Sequence, residues 1–298
     1  MLEVQLFGVF RAWDRDVGPL PLESHKAREL LCFLLLHHDE PQSREVLASQ
    51  LCGAGTTAQS LKGLRQALWH LQLGLPPGLR ADLVHAEDDW VELRRLPGLE
   101  CDALQFSEAV GALRGRAGAG LTPAEARALR DAEGLYRADL LVGWMHDWCL
   151  AERERLHTLH LAALEKVADH AEARRDWETA LEYARRLLAF DQTSETTHRQ
   201  VMRLLFCSGR RSDALRQFAR CEQALREELG VGPSRATLAL HECIREDRAL
   251  EVLETPPTRP AGWVAPPDLA WDLVQELRGV VRDLQALLVT ERRLRDEA

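Results

Sequence analysis

A repeat of 34 residues limits the folds open to this chain more than any other feature of its sequence. Trp177–Leu181 (WETAL) matches Arg211–Leu215 (RSDAL) at that offset. The surrounding positions agree, since Ala168, Ala180 and Ala184 fall against Met202, Ala214 and Phe218. A period of this length is typical of stacked helix pairs. This part of the chain is therefore predicted to consist of such pairs.

The helical pattern extends well beyond the repeat. From Asp102 to Leu250 the periodicity is helical, with no strand-like alternation of useful length. Thr122, Pro123 and Glu125 form a capping box with proline at the first helical position, which marks a helix start. We predict an all-α, tetratricopeptide-like domain over residues 100–252. Stacked repeats of this kind form a concave surface suited to a partner, although the repeat does not specify which.

The first hundred residues combine strands with helices. The predicted elements are a strand at 2–13, a turn at 14–19, a short strand at 20–22, helices at 26–38, at 44–51 and from 57 onward, and a hairpin at 83–93 with its turn at 88–89. Ser24, Ser43 and Thr56 are expected to cap the three helices. This order of elements predicts an N-terminal winged helix-turn-helix (α+β) domain over residues 1–95.

The third helix carries the side chains expected to bind a ligand. Its inward stripe is Leu61, Leu64, Leu68, Leu71 and Leu75. The predicted DNA-binding residues are Gln59, Lys62, Arg65, Gln66, Trp69 and His70 on this helix, with Arg80 and His85 near the hairpin, which would approach phosphates or the minor groove. Lysine, arginine and glutamine are side chains that reach base edges and phosphates. Trp69 either contacts DNA or packs on a neighbouring element.

The charge balance weakens the case for DNA. The formal net charge is -9, whereas affinity for DNA comes largely from Lys and Arg at phosphates. The distribution is more favourable, since residues 54–80 contain Lys62, Arg65 and Arg80 and no acidic residue. A solvated helix face would look the same in isolation. The surrounding pattern of strand, helices and hairpin favours DNA contact.

Long segments of both halves carry a family resemblance. In the first half they are LEVQLFGVFRAW, HKARELLCFLLLHH with SREVLASQL, and SLKGLRQALWHLQLGLPPG; in the second they are YRADLLVGW, DWCLAERERLHTLHLAALE and RQVMRLLFCSGRRSDALRQFARCEQALREELGVGPS. These segments resemble the bacterial transcriptional activator domain proteins, which include the Streptomyces antibiotic regulatory proteins. The resemblance covers about residues 1–250. It implies a winged helix that reads direct repeats upstream of promoters with a recognition helix near Gln59–Leu73, and a helical domain that contacts RNA polymerase or self-associates.

The chain departs from this family at two points. Where members usually carry arginine near the end of the recognition helix, this chain has His70, Gln72 and Leu73, which implies fewer phosphate contacts. No P-loop of the form GxxxxGK[ST] follows the helical domain, unlike in larger members. We therefore expect a short, stand-alone form.

The last part of the sequence has a composition of its own. Residues 253–267 form a proline-rich linker, and residues 268–298 read as an amphipathic helix. A seam of apolar residues at alternating steps of four and three comprises Leu273, Leu277, Val280, Leu284 and Leu287. These residues are predicted to form a dimerising coiled coil. The alternative is that the helix docks on the chain's own helical domain.

Several histidines invite comparison with metal or catalytic sites. His157 and His160 lie one turn apart with Glu154 and Glu165 nearby, but a structural or surface role is favoured. His37 and His38 end a helix, where imidazoles interact with terminal carbonyls. No motif for catalysis occurs, and we predict neither a cofactor nor a metal.

The location is expected to be cytoplasmic. The chain opens without a signal peptide pattern and has no run of 18 apolar residues. Its seven cysteines form no CxxC pair and are expected to be reduced and mostly buried.

The sequence thus predicts a non-enzymatic DNA-binding transcription regulator, with activation favoured. Its expected partners are double-stranded promoter DNA, RNA polymerase and a second copy of the chain. The alternative is a helical-repeat adaptor or signal-binding protein with weakened DNA binding, which the acidic balance supports.

Overall fold

A computed structural model describes residues 1–38, 40–53, 56–87, 89–94 and 97–248. The helices are α1 (His25–Leu36), α2 (Arg44–Cys52), α3 (Thr57–Gly74), α4 (Pro77–Leu83), α5 (Asp102–Gly111), α6 (Pro123–Glu133), α7 (Asp147–Ala173), α8 (Trp177–Phe190), α9 (Glu195–Cys207), α10 (Arg211–Ala224) and α11 (Arg235–Arg245). The strands are β1 (Leu2–Gln5), β2 (Arg11–Asp14), β3 (Gly18–Pro19), β4 (Gln42–Ser43), β5 (Val84–Ala86), β6 (Trp90–Leu93) and β7 (Leu99–Cys101). The described residues are thus mainly helical with small N-terminal sheets. The predicted linker and the seam Leu273, Leu277, Val280, Leu284 and Leu287 lie outside them.

The chain divides into two compact units. Residues 1–234 form the first, and the second begins at Arg235 and contains α11. The boundary predicted between residues 95 and 100 lies within the first unit and stays a prediction.

The N-terminal sheet corrects the predicted strands. Its order is β3-β2-β1-β7, with β1 antiparallel to β2 and parallel to β7. The single strand predicted over 2–13 is two strands, because the chain turns at Gly8, which has a φ of +93°. The next strand lies at Gly18–Pro19 and not at Leu20–Leu22. The turn at Gly8 leaves Phe7 buried and Val9 exposed. The apolar residues on the two sides of Gly8 therefore do not belong to one continuous strand.

Asp102 attaches the end of β1 to the start of α5. Its two carboxylate oxygens accept hydrogen bonds from the backbone N–H groups of Leu6, at 2.8 Å, and Phe7, at 3.1 Å. Next to these bonds, the Phe7 ring packs edge-on against Phe106, with ring centroids 5.5 Å apart. The N-terminal strand is therefore fixed to the helical part of the same unit by both polar and apolar contacts.

The predicted helix caps are confirmed. The side chains of Ser24, Ser43 and Thr56 accept hydrogen bonds from the first turns of α1, α2 and α3, and Thr122 with Glu125 forms the capping box of α6. One helix was not predicted. Pro76–Pro77 ends α3 and also begins α4, because proline suits the first position of a helix.

The 34-residue repeat corresponds to two helix pairs with the same turn. The second helix of each pair, α8 or α10, begins at Trp177 or Arg211, 34 residues apart. The turns before them contain Arg175 and Gly209, both left-handed, with φ of 60° and 76°. In each turn the following residue donates its backbone N–H to a carbonyl five residues earlier, from Asp176 to Ala171 and from Arg210 to Leu205. The sequence repeat is thus a repeat of backbone structure.

The cysteines match their predicted state. All seven are outside disulfides, and five of them are buried: Cys32, Cys101, Cys149, Cys221 and Cys243. Burial raises the pKa of the Cys101 thiol to about 12, which keeps it protonated. Across the described ranges, no helix has both the length and the hydropathy of a membrane span.

Candidate nucleic-acid interface

Helix α3 packs closely against α2. A Cβ atom at Gly63 would lie 3.0 Å from the Cys52 sulfur, so glycine allows the two helices this approach. Leu64, Leu68 and Leu71 of α3 are buried in the same core. The buried side of α3 is thus fixed against the rest of the unit, and its opposite side is presented to solvent.

The exposed side of α3 brings together most of the predicted DNA-binding residues. We call Gln59, Lys62, Arg65, Gln66, Trp69 and His70 the α3 surface. Five of these side chains are exposed and His70 is half-buried. Trp69 is 58% exposed, and its ring contacts that of His70 at a centroid distance of 4.8 Å. It is therefore available to a ligand.

The cations of the α3 surface are not neutralised by any of the residues that the structure describes. In the part of the chain that the structure describes, neither Lys62 nor Arg65 forms an ion pair or a side-chain hydrogen bond. Both side chains are exposed. Cations in this state can neutralise phosphates without first breaking a bond within the protein.

Gln59 also has a structural task. Its side-chain oxygen accepts a hydrogen bond from the Thr56 backbone N–H at 3.1 Å, and its own backbone N–H donates to the Thr56 hydroxyl at 3.4 Å. This is the capping box of α3. The carbonyl end of the amide is thus occupied, and its NH2 group is the part that remains for a ligand.

Arg80 is bound to the backbone at the C-terminal end of α3. Its guanidinium donates to the backbone carbonyl of Leu75 at 2.7 Å and to that of Leu73 at 2.9 Å. The last carbonyls of a helix lack partners within the helix, and a cation there also offsets the helix dipole. Arg80 therefore acts as a C-terminal cap in this structure, which its position in the sequence did not indicate.

His85 lies on the predicted hairpin, in acidic surroundings. Strands β5 and β6 are antiparallel, with His85 opposite Glu92. The His85 Nε2 atom is 3.0 Å from a carboxylate oxygen of Glu87. A shallow cavity of about 390 Å³ is lined by Pro41, His85, Glu87, Trp90, Glu92 and Arg94. The two carboxylates make this hairpin less suited to phosphate than the α3 surface.

Trp90 is an exposed aromatic residue that the sequence analysis did not single out. It is 50% exposed on β6, whereas Val91 and Leu93 of the same strand are buried. Successive side chains of a strand point to opposite faces. Because Val91 and Leu93 are apolar and two residues apart, the sequence of this strand already indicated that Trp90 faces outward.

The histidines that end α1 and those that face one side of α7 have structural contacts. The Nδ1 atoms of His37 and His38 lie 2.9 and 3.1 Å from the carbonyls of Phe33 and Leu35, as predicted. His160 stacks on Tyr136 at 4.1 Å, and its Nε2 atom lies 3.0 Å from Glu133.

Glu133 is a buried carboxylate held by two partners. Burial alone would raise its pKa, but hydrogen bonds with His160 and with the Arg186 guanidinium bring the pKa below its ordinary value.

His157 contacts Phe190 at a ring centroid distance of 5.2 Å. The structure thus places His157 and His160 in ring-packing contacts, and His160 also beside the Glu133 carboxylate, within the helical region.

The chain resembles known proteins over most of its length. Residues 101–245 match the family described as "Bacterial transcriptional activator domain". The chain is 29% identical over 239 residues to the regulatory protein AfsR of Streptomyces coelicolor, and this match covers 78% of the chain but 23% of AfsR. Its fold is similar to that of Mycobacterium tuberculosis EmbR in complex with a low affinity phosphopeptide, with a TM-score of 0.64 and 21% identity over 84% of this chain and 66% of that one. The chain thus spans only part of the length of both relatives.

The fold and the match together define a class: mainly helical proteins with a small N-terminal sheet region, folded like EmbR. Within that class, residues 101–245 match the bacterial transcriptional activator domain family. The resemblance predicted from the sequence is therefore confirmed.

Proposed function

We propose that this chain is a DNA-binding transcription regulator, with activation favoured, that reads promoter DNA with the α3 surface. The observation that carries the proposal is the exposed pair Lys62 and Arg65, which has no ion-pair partner among the described residues, on a helix whose other side is buried. A helix held in this way fits the major groove, with lysine, arginine and glutamine at base edges and phosphates. Helices α1 to α3 with the β5–β6 hairpin have the element order of a winged helix-turn-helix.

The helical domain is proposed to be tetratricopeptide-like and to contact RNA polymerase or a second copy of the chain. The repeated pairs α7–α8 and α9–α10, with their matching turns, support the first part. The family match supports the second. The cytoplasmic location stays a prediction.

The proposal is tested by selecting binding sites from a random-sequence duplex library with the full chain. Affinity for the selected duplex is then measured by fluorescence anisotropy at several salt concentrations. The double variant Lys62→Ala/Arg65→Ala is expected to lose about 2–5 kcal/mol of binding free energy and to flatten the dependence of affinity on salt.

A charge-matched control separates local contact from general electrostatics. Arg185 and Arg220 are exposed on α8 and α10, and neither has an ion pair within the described residues. Arg185→Ala/Arg220→Ala removes the same charge and is expected to leave duplex affinity nearly unchanged. Equal losses in the two double variants would reject the assignment of the α3 surface.

The C-terminal seam is proposed to dimerise the chain. Two recognition helices in one dimer would act at high effective concentration, which compensates for few phosphate contacts on each. Truncation after Leu253 is expected to halve the mass measured by light scattering. An unchanged mass would instead favour docking of this helix on the chain's own helical domain.

A second candidate function is an adaptor or signal-binding protein with weakened DNA affinity. Two observations favour it: the carboxylates around His85, and a groove of about 430 Å³ between α8 and α10. The buried His198 and Gln217 line this groove and bond to each other at 2.8 Å. If the library selection yields no enriched duplex, the adaptor function is preferred.

A further inference from the structure

Three side chains that are far apart in the sequence meet beside the start of α7. They are His25 and Glu29 on α1, and His146, which immediately precedes α7. One ligand atom from each, an imidazole nitrogen or a carboxylate oxygen, lies within 4.8 Å of the other two. No motif predicts this cluster, because only the packing of α1 against α7 creates it.

The spacing of these atoms suits metal ligands better than hydrogen-bonded partners. The Nδ1 atom of His146 lies 3.5 Å from Glu29 Oε1, and that of His25 lies 3.9 Å from Glu29 Oε2. Within the described residues, neither imidazole forms a hydrogen bond. Two atoms that bind the same tetrahedral zinc ion at about 2.1 Å are about 3.4 Å apart. Since the ligand atoms all lie within 4.8 Å of one another, each pair would need to approach by no more than about 1.4 Å to reach that geometry.

The surroundings hold the cluster in place and leave one side open. Glu29 is fully buried, whereas His25 is exposed and His146 is half-buried. The centroid of the Trp144 ring lies 5.1 Å from the ring centroid of His25 and 6.0 Å from that of His146. An ion would thus have a buried carboxylate behind it, two oriented imidazoles beside it and solvent for a fourth ligand.

Lys26 is the main obstacle to a cation at this place. Its ammonium group lies 2.8 Å from Glu29 Oε2, and it also donates to the carbonyl of Leu51. Glu29 Oε1, which faces His146, is not bonded to Lys26; it accepts a long hydrogen bond, 3.4 Å, from the indole N–H of Trp148 and keeps a second lone pair for an ion. A metal bound through Oε1 would therefore share the carboxylate with the ammonium, which lowers its affinity without blocking the site.

From this geometry we propose that His25, Glu29 and His146 form a site for a divalent transition metal of the zinc class. Two imidazoles and one carboxylate are a usual ligand set for zinc with an open fourth position. The ligands come from α1 and from the segment before α7, so the ion clamps the part of the molecule that carries the α3 surface to the long helix of the helical domain. Binding to the folded chain alone would also stabilise it.

The test is isothermal titration of zinc chloride into the full chain after treatment with a chelator. Cys207→Ser is the background for every variant, because the exposed Cys207 thiol is a possible zinc ligand. We expect one zinc per chain. Removing one ligand, in His25→Ala or His146→Ala, is expected to weaken binding by about tenfold or more. Circular dichroism verifies that each variant is folded.

Two further variants distinguish this site from adventitious binding to surface histidines. His157→Ala removes an imidazole on α7 outside the cluster and is expected to leave affinity unchanged. Lys26→Met removes the competing ammonium, so zinc is expected to bind more tightly and to raise the melting temperature further. No saturable binding, or equal binding in the His25, His146 and His157 variants, would overturn the proposal. Weaker binding by a folded Lys26→Met variant would contradict competition between the ammonium and the ion for Glu29, and would overturn the proposal too.

Discussion

The indole N–H of Trp148 donates a hydrogen bond to Glu29 Oε1 over 3.4 Å, and this contact joins α7 to α1. Both side chains are buried. The Trp148 ring also packs edge-on against Phe33 of α1, with centroids 5.4 Å apart. Helices α1 and α7 are therefore joined by a buried hydrogen bond and by the ring contact that lies beside it.

We expect Trp148→Phe to destabilise residues 1–234 by about 1–3 kcal/mol. The change leaves a buried carboxylate oxygen without its donor and removes part of a packed ring. The measurement is urea unfolding followed by circular dichroism, since fluorescence changes when a tryptophan is removed.

Trp90→Phe is the matched control. Trp90 is half exposed on β6, and a substitution there is expected to change the free energy of unfolding by no more than about 0.5 kcal/mol. If both variants lost the same free energy of unfolding, the hydrogen bond from Trp148 to Glu29 would contribute nothing beyond the effect of replacing an indole by a smaller ring.

The position of Arg80 leads to a prediction that separates two roles. If it caps α3 as the structure shows, Arg80→Ala should lower the free energy of unfolding by about 1–2 kcal/mol, because two carbonyls lose a charged donor. The slope of log affinity for DNA against log salt should stay the same. If Arg80 contacts phosphate, that slope should fall by about 1, which anisotropy titration detects.

The sequence-based predictions succeeded where the signal was local. Ser24, Ser43 and Thr122 act on N–H groups within three residues, so the cap and its target are read together. The exposed and buried sides of α3 follow from the helical period for the same reason. The 34-residue offset of the repeat recurs between the left-handed residues Arg175 and Gly209, although the turns themselves were not predicted.

The predictions failed where distant segments meet. Strand β7 pairs with β1, and β4 pairs with β6, across long stretches of chain; both are too short to show alternation. The capping role of Arg80 depends on the fold of α4 over the end of α3. No spacing brings His146 to Glu29, because that approach requires the packing of two helices.

The two turns of the repeat offer a reciprocal test of backbone strain. Arg175 is exposed and has a φ of 60°, a conformation that costs a residue with a side chain about 1 kcal/mol relative to glycine. Glycine also gives the unfolded chain more conformational freedom, which offsets part of this gain. Arg175→Gly is therefore expected to stabilise the chain by about 0.5 kcal/mol.

Gly209→Ala is the counterpart in the other turn. Nothing lies within 4 Å of a Cβ at Gly209, so only the backbone conformation opposes the change. Because alanine also restricts the unfolded chain, which offsets part of the strain, the net destabilisation should be about 0.5 kcal/mol. Thermal unfolding of both variants checks the pair, and shifts of the same sign would contradict a shared left-handed turn.

The buried carboxylate of Asp169 predicts a dependence of stability on pH. Burial first, and then the nearby Glu165, raise its pKa from 3.8 to about 6, although the hydrogen bond from Gln200 opposes this. A group whose pKa is higher in the folded state contributes stability below its unfolded pKa and loses it as the pH rises through about 6. Asp169→Asn keeps an oxygen that accepts the bond from Gln200 Nε2, which is 3.0 Å long in the wild type, but carries no charge.

Asp169→Asn should therefore be more stable than the wild type by about 1–2 kcal/mol near pH 8, after allowance for partial solvent screening. The difference should shrink as the pH falls through about 6 and disappear only below about pH 3, where Asp169 is protonated in both the folded and the unfolded state. Urea unfolding at a series of pH values measures it, with Asp131→Asn, on the exposed side of α6, as the control for other carboxylates. A gain in stability that is the same at all pH values would show that it arises from packing. A loss of stability at high pH would show that the Asp169 charge stabilises the contact between α7 and α9.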